Sequence, residues 1–322
     1  MEETCYDLSR PRRQFSRIGF ALAVILAAST LVQWLLQFLT FQFPGFNAFL
    51  LDHSWAETLL GVIPMYFIAI PLGLLLLKKQ TRKAPASFAL RPIQFLEYIP
   101  ISMAIMYGGN IIGIVLSFLF SGGTAVNPVQ TYLEDNTIFK VLSVVVIAPI
   151  VEEYVFRKTI IDHSLPYGEK GAILLSAITF GLLHQNFFQF FYAAGLGLLL
   201  GYVYIRTGKL WYTILLHAII NFMGGVIAPL LAPVIALLED PMSLDLAQIL
   251  QILLVYAYSM TLMGLSVFGL VRLIIRCKRL QWTSGEEDLP KGTGLRTLFL
   301  NGGMILYTIL CLAAMVASLY LT

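Results

Sequence analysis

The stretch "IGFALAVILAASTLVQWLLQFL", residues 18–39, contains no charged side chain. As an α-helix rising 1.5 Å per residue it would extend roughly 33 Å, enough to cross the ~30 Å hydrocarbon core of a bilayer. It is too long for the apolar core of a signal peptide, and no convincing cleavage site follows it. It is therefore expected to remain as a first membrane helix. Outward from this stretch, similar runs recur along the whole chain. Of 322 residues, 58% are hydrophobic and only 12% charged, and mean hydropathy is +0.80. A soluble domain carries about a quarter charged residues, so an ordinary soluble enzyme is excluded. Lipid leaves no partner for backbone groups, which restricts spanning segments to helices or a closed barrel. Barrel strands are alternating segments of about ten residues, far shorter than these runs. The expected fold is all-α, a polytopic membrane bundle forming a single domain over residues 1–322.

Eight to nine spans are expected, near 17–39, 56–77, 98–120, 137–158, 171–187, 188–206, 211–238, 249–275 and 297–320. On this map 20 of the 21 Lys and Arg residues fall on one side, with Lys140 left over. The opposite loops hold Asp52, Glu57, Glu134, Asp135, Glu239, Asp240 and Asp245. Positive charge marks cytoplasmic loops, so the N-terminus is expected in the cytoplasm. Residues 171–206 fit the charge pattern equally well as a full hairpin or a re-entrant one. The spacing of Ala193, Gly197 and Gly201 puts small residues on one helix face, a packing pattern. The segment 278–296 reads as a polar loop, and the scattered Cys5, Cys277 and Cys311 suggest no metal or redox motif.

Charged side chains inside membrane helices cost about 2.5–3.5 kcal/mol each on insertion scales, so those present need a reason. The stretch "VVVIAPIVEEYVFRK", 144–158, ends an apolar run with Glu152 and Glu153. Glu153 and Arg157 are i and i+4 with the acid first, the better order for an ion pair. Glu152 points about 100° away and has no partner on its own helix. Pro149 removes a backbone donor just before the acids and bends the helix. His184 follows Phe180 by four residues, and His217 and Asn221 share a helix face at i and i+4. Taken singly, each has a packing explanation. Together, on three helices, they supply a base, proton carriers and a hydrogen-bond donor for activating water against a carbonyl. Neither G-x-S-x-G nor H-E-x-x-H is present.

The order E-E-x-x-x-R at 152–157, F-x-x-x-H at 180–184 and H-x-x-x-N at 217–221 resembles the CAAX prenyl protease and bacteriocin-processing family, the CPBP or Abi intramembrane proteases. The likeness covers roughly residues 137–225, the expected catalytic core. It implies an endopeptidase with its active site within the membrane, opening toward the cytoplasm. Glu152 would then be the general base and His184 would hold and activate water. His217 and Asn221 would polarise the scissile carbonyl, Glu153 and Arg157 would brace the site, and Phe180 would pack beneath His184. Zinc is a possible cofactor, on Glu152, His184 and His217, although Asn221 is a poor zinc ligand. The expected partners are a peptide or membrane-protein substrate and the lipid bilayer, with no nucleic acid. A multi-pass protein of a bacterial plasma membrane is expected.

Depth constrains this reading. Glu152 and His217 each lie roughly 9 Å from the expected cytoplasmic helix ends, but His184 lies roughly 20 Å from residue 171. The fifth helix must start below the surface, tilt strongly or be re-entrant. The alternative function is a non-catalytic scaffold or bacteriocin-immunity factor on the same fold. A proton-coupled transporter ranks last, because no internal repeat is present.

Overall fold

The computed structural model describes residues 6–128, 138–239 and 244–320, and these contain helices and connections but no strand. Six helices are long and apolar enough to cross a membrane: α1 Ser9–Gln42, α2 Ser54–Leu77, α3 Pro92–Ser121, α6 Phe187–Thr207, α7 Leu210–Ile227 and α8 Leu246–Cys277. Three others complete the frame: α4 over 138–164, α5 Glu169–Leu183 and α9 Gly302–Ala317. The chain is a multi-pass membrane protein. Glu134, Asp135 and Asp240, expected on the acidic side, lie outside the described residues.

Two boundaries differ from the hydropathy reading. The helix expected to end at 158 continues to Ser164, carrying His163, which is buried in its last turn rather than set in a loop. Its polar end is stabilised locally: Lys158 pairs with Asp162 at 2.9 Å, and His163 Nδ1 donates to Thr159 O at 2.7 Å. The helix expected over 171–187 is α5, which stops at Leu183. At roughly 22 Å it falls short of a ~30 Å hydrocarbon core.

Proline shapes the helices nearest the site. α4 widens to π geometry over Ser143–Ile147, immediately before Pro149, and again over Tyr154–Ile161. α2 does the same over Ile63–Ala69, around Pro64. A proline has no N–H and its ring crowds the preceding turn, so the ladder relaxes by one residue.

α6 is central, packed between α3 and α5, while α1 lies against α9 and α8 against α3. The small-residue face of α6 has the packing role its spacing suggests. A Cβ on Gly197 would meet the Cα of Ala177 on α5, and Gly201 lies against Ile161 and Ile173. Gly197→Leu is expected to push α5 from α6 and destabilise the fold by about 1–3 kcal/mol, measured by unfolding in detergent. An unchanged midpoint would mean that α5 can shift without cost.

The end of the bundle with the basic loops is tied together by polar contacts. Lys83 N–H donates to Asp162 O at 2.7 Å and Phe88 N–H to Thr207 O at 2.8 Å. The 278–296 loop folds back onto the same end: Arg206 holds Glu169 at 2.5 Å, Thr283 N–H reaches Glu169 at 3.1 Å, and Glu287 N–H reaches Pro166 O at 2.9 Å. At the other end Lys140, the one cation off the basic side, is buried and lies 3.6 Å from Glu57.

Candidate active site

α4, α5 and α7 bring the singled-out side chains to one cavity of about 360 Å³. Glu152, His184, His217, Asn221 and Phe180 all line it. Glu153 and Arg157 lie behind the wall, both fully buried.

The buried layer begins with Glu153. Its Oε1 accepts from Arg157 Nη2 at 3.2 Å and from His217 Nδ1 at 3.0 Å. Arg157 Nε sits 3.0 Å from Glu153 Oε2, an ion-pair contact without a hydrogen bond's angle. Arg157 Nη1 donates to Ser176 Oγ at 2.9 Å, and the Ser176 hydroxyl in turn donates to Phe156 O at 2.8 Å. Above Arg157 lies Phe180, with the guanidinium carbon 4.8 Å from the ring centre. Phe180 also meets both imidazoles edge to face, His184 at 5.1 Å and His217 at 5.7 Å. It therefore separates the charged pair from the cavity and fixes the two rings against one apolar surface.

Hydrogen bonds set the tautomers. Carbonyls only accept, so His184 Nδ1, 3.0 Å from Phe180 O, carries a proton. The lone pair of the neutral ring is then on Nε2. His217 likewise gives Nδ1–H to Glu153, and its Nε2 lies 3.9 Å from Glu152 Oε2. That distance is too long for a direct hydrogen bond, and a water between the two atoms would bridge them.

Two contacts are not legible in the motifs. Tyr66, on α2, donates to Glu152 Oε1 at 3.0 Å, so the acid without a partner on its own helix has one from elsewhere. Asn221 Nδ2 donates to Val144 O at 2.9 Å. In the widened turn Ala148 N–H bonds Ser143 O, and Pro149 has no N–H to offer. The Val144 carbonyl is thus the acceptor that the broken ladder leaves over, and Asn221 fills it. Asn221→Leu is expected to cost about 0.5–1.5 kcal/mol by removing the donor from this part-buried acceptor, measured as a lower unfolding midpoint in detergent. A variant as stable as wild type would show the contact to be incidental.

The turn between α5 and α6 holds His184 in place. Gln185 has φ 55°, the one positive φ outside glycine among the described residues. Asn186 caps α6 by accepting Gln189 N–H at 2.9 Å, and its amide donates to His184 O at 2.7 Å.

The depth expected for the site is corrected by the longer α4. Glu152 lies roughly 18 Å from the helix end at Ser164, not roughly 9 Å, which brings it level with His184, roughly 22 Å along α5. His217 stays near its expected depth, roughly 10 Å into α7.

For a metal, the donor types suit zinc: one carboxylate and two imidazoles at one cavity. Among the described residues, however, no three His, Cys, Asp or Glu side chains gather at ligating spacing.

The described residues form a helical membrane bundle with acid and imidazole groups at one cavity, an arrangement able to activate water. Residues 134–223, which carry the three motifs, match the family described as Rce1-like: type II CAAX prenyl endopeptidase Rce1-like. No curated protein and no solved structure matches the chain significantly.

Proposed function

We propose that the chain is an intramembrane endopeptidase that cleaves a peptide or membrane-protein substrate by water activated between Glu152 and the histidines. The observation that carries this reading is the convergence of Glu152, His184 and His217 on one cavity. Glu152 Oε2, with Oε1 held by Tyr66, takes a proton from water, and His184 Nε2 accepts a second hydrogen bond that orients it. The oxygen adds to the scissile carbonyl. His217 donates from Nε2 to the oxyanion in its doubly protonated form, whose charge Glu153 stabilises through Nδ1. Asn221 contributes the amide N–H not used by Val144. The proton held by Glu152 then passes to the leaving nitrogen.

Six long helices together with α4, α5 and α9 support the reading of nine membrane-embedded helices in one domain, with residues 137–225 as its catalytic core. The basic loops support a cytoplasmic N-terminus, and a bacterial plasma membrane is the proposed location. The resemblance implies a cytoplasmic opening, and His217 lies roughly 10 Å from the basic end of α7. Zinc stays a proposal on donor chemistry alone; it would acidify a bound water and polarise a carbonyl.

Purified protein in detergent, offered a peptide library and assayed for bound metal, tests these points together. Cleavage at defined bonds supports the peptidase. Failure to cleave any peptide would favour the non-catalytic scaffold or immunity factor, which needs the helices but not the acid.

A further inference from the structure

A second cavity, of about 430 Å³, lies between α3, α5, α6 and α8 and shares no lining residue with the one at Glu152. It follows from how α8 is held. Gly269 is the buried residue of this helix, and a Cβ there would collide with Pro100 O, so α8 is drawn tightly onto α3. Leu198 of α6, beside it, stays exposed. Every lining residue on a helix lies within roughly 20 Å of the basic end: Ile105 is roughly 20 Å along α3, Gly195 roughly 18 Å along α6, and Leu273 roughly 6 Å along α8. Leu280 and Trp282, from the 278–296 loop, complete the lining. The cavity is thus a groove reaching from headgroup level to about mid-membrane, with Leu198, Cys277 and Trp282 exposed along it.

The groove wall is aliphatic and aromatic, and its one charged residue is Arg276, which donates to the Tyr98 hydroxyl at 2.9 Å. No side-chain amide lines it. A peptide laid here would leave backbone N–H and C=O groups without partners, whereas a hydrocarbon chain has none to satisfy. The rim carries surplus positive charge. Arg272 and Arg276 share the one carboxylate of Glu97. Lys170 Nζ stands 5.4 Å from the centre of the Trp282 ring. Among the described residues no carboxylate pairs with Lys170, Lys278 or Arg279. The acids of the adjoining loop are engaged elsewhere, Glu286 with Lys83, Glu287 with Arg10 and Asp288 with the Gly285 N–H.

We infer that this groove binds an anionic glycerophospholipid, with an acyl chain between α3, α6 and α8 and the phosphate beside Arg276, Lys170 and Lys278. Each lysine or arginine near the surface adds roughly fivefold to the preference for such a headgroup. The aromatic rings of Trp282 and Tyr202 lie where membrane proteins place interfacial anchors. The inference does not depend on the peptidase reading.

The test uses the full-length chain with Trp34, Trp55 and Trp211, all exposed, replaced by Phe, which leaves Trp282 as the fluorophore. The protein is placed in phosphatidylcholine nanodiscs doped with either phosphatidylglycerol or phosphatidylcholine brominated in the upper half of its chains. Half-maximal quenching of Trp282 is expected at a mole fraction of the brominated phosphatidylglycerol at least about fivefold lower than of the phosphatidylcholine. Lys170→Gln with Lys278→Gln, both exposed, should lower that preference at least about threefold. Lys79→Gln with Arg82→Gln, which removes the same charge from the basic end but away from the groove, should leave it unchanged. Equal quenching by the two lipids would mean ordinary surrounding lipid and overturn the inference. So would absence of quenching by either, which would mean a groove filled by something else. A preference lost equally in both double variants would trace it to the whole basic end, and also overturns the inference.

Discussion

Glu152→Gln is expected to lower peptide cleavage by about 10²–10⁴-fold, the usual contribution of a positioned general base. Glutamine keeps the shape of the side chain, and Tyr66 can still donate to its amide oxygen. What disappears is the ability to take a proton from water. Stability should change little, since Glu152 lies outside the buried Glu153–Arg157 pair and lines the cavity. The measurement is kcat/KM on a cleaved peptide, with membrane abundance and unfolding midpoint compared to wild type. Activity within a few-fold of wild type at equal abundance would remove Glu152 from the chemistry. Tyr66→Phe, which frees the carboxylate without removing it, should give a smaller loss.

Arg157→Met is expected to destabilise the protein by about 3–5 kcal/mol, because it leaves the Glu153 carboxylate buried without its counter-charge. Both side chains are fully buried. Adding Glu153→Gln to Arg157→Met removes the orphan charge, so most of the lost stability should return. Activity should not return, because His217 Nδ1 would face a neutral amide instead of the carboxylate that supports its protonated form. Denaturation in detergent and peptide cleavage separate the two effects. If the double variant were as active as wild type, Glu153 would be a packing residue only.

Much of this was legible in the sequence. The uncharged run at 18–39 and its successors specify membrane helices, and the grouping of basic residues agrees with one tied end of the bundle. The i,i+4 spacing anticipates the Glu153–Arg157 contact, and Phe180 does pack on His184. Three features were hidden for physical reasons. α4 runs past 158 because Asp162 and His163 find partners within the helix, which hydropathy counts as polar and therefore terminal. Tyr66 sits on an apolar helix, where tyrosine commonly serves as an interface anchor. Pro149 announces a bend, but which carbonyl the bend strands, and that Asn221 satisfies it, depends on a π turn that no residue type specifies.

The shortness of α5 has a consequence inside the bundle. This helix stops roughly 8 Å short of a ~30 Å hydrocarbon layer, and most of its residues are buried against protein rather than lipid. The turn that follows it sets His184 into the cavity. A truncated helix thus leaves room for water at a depth where a full-length one would fill the space with side chains.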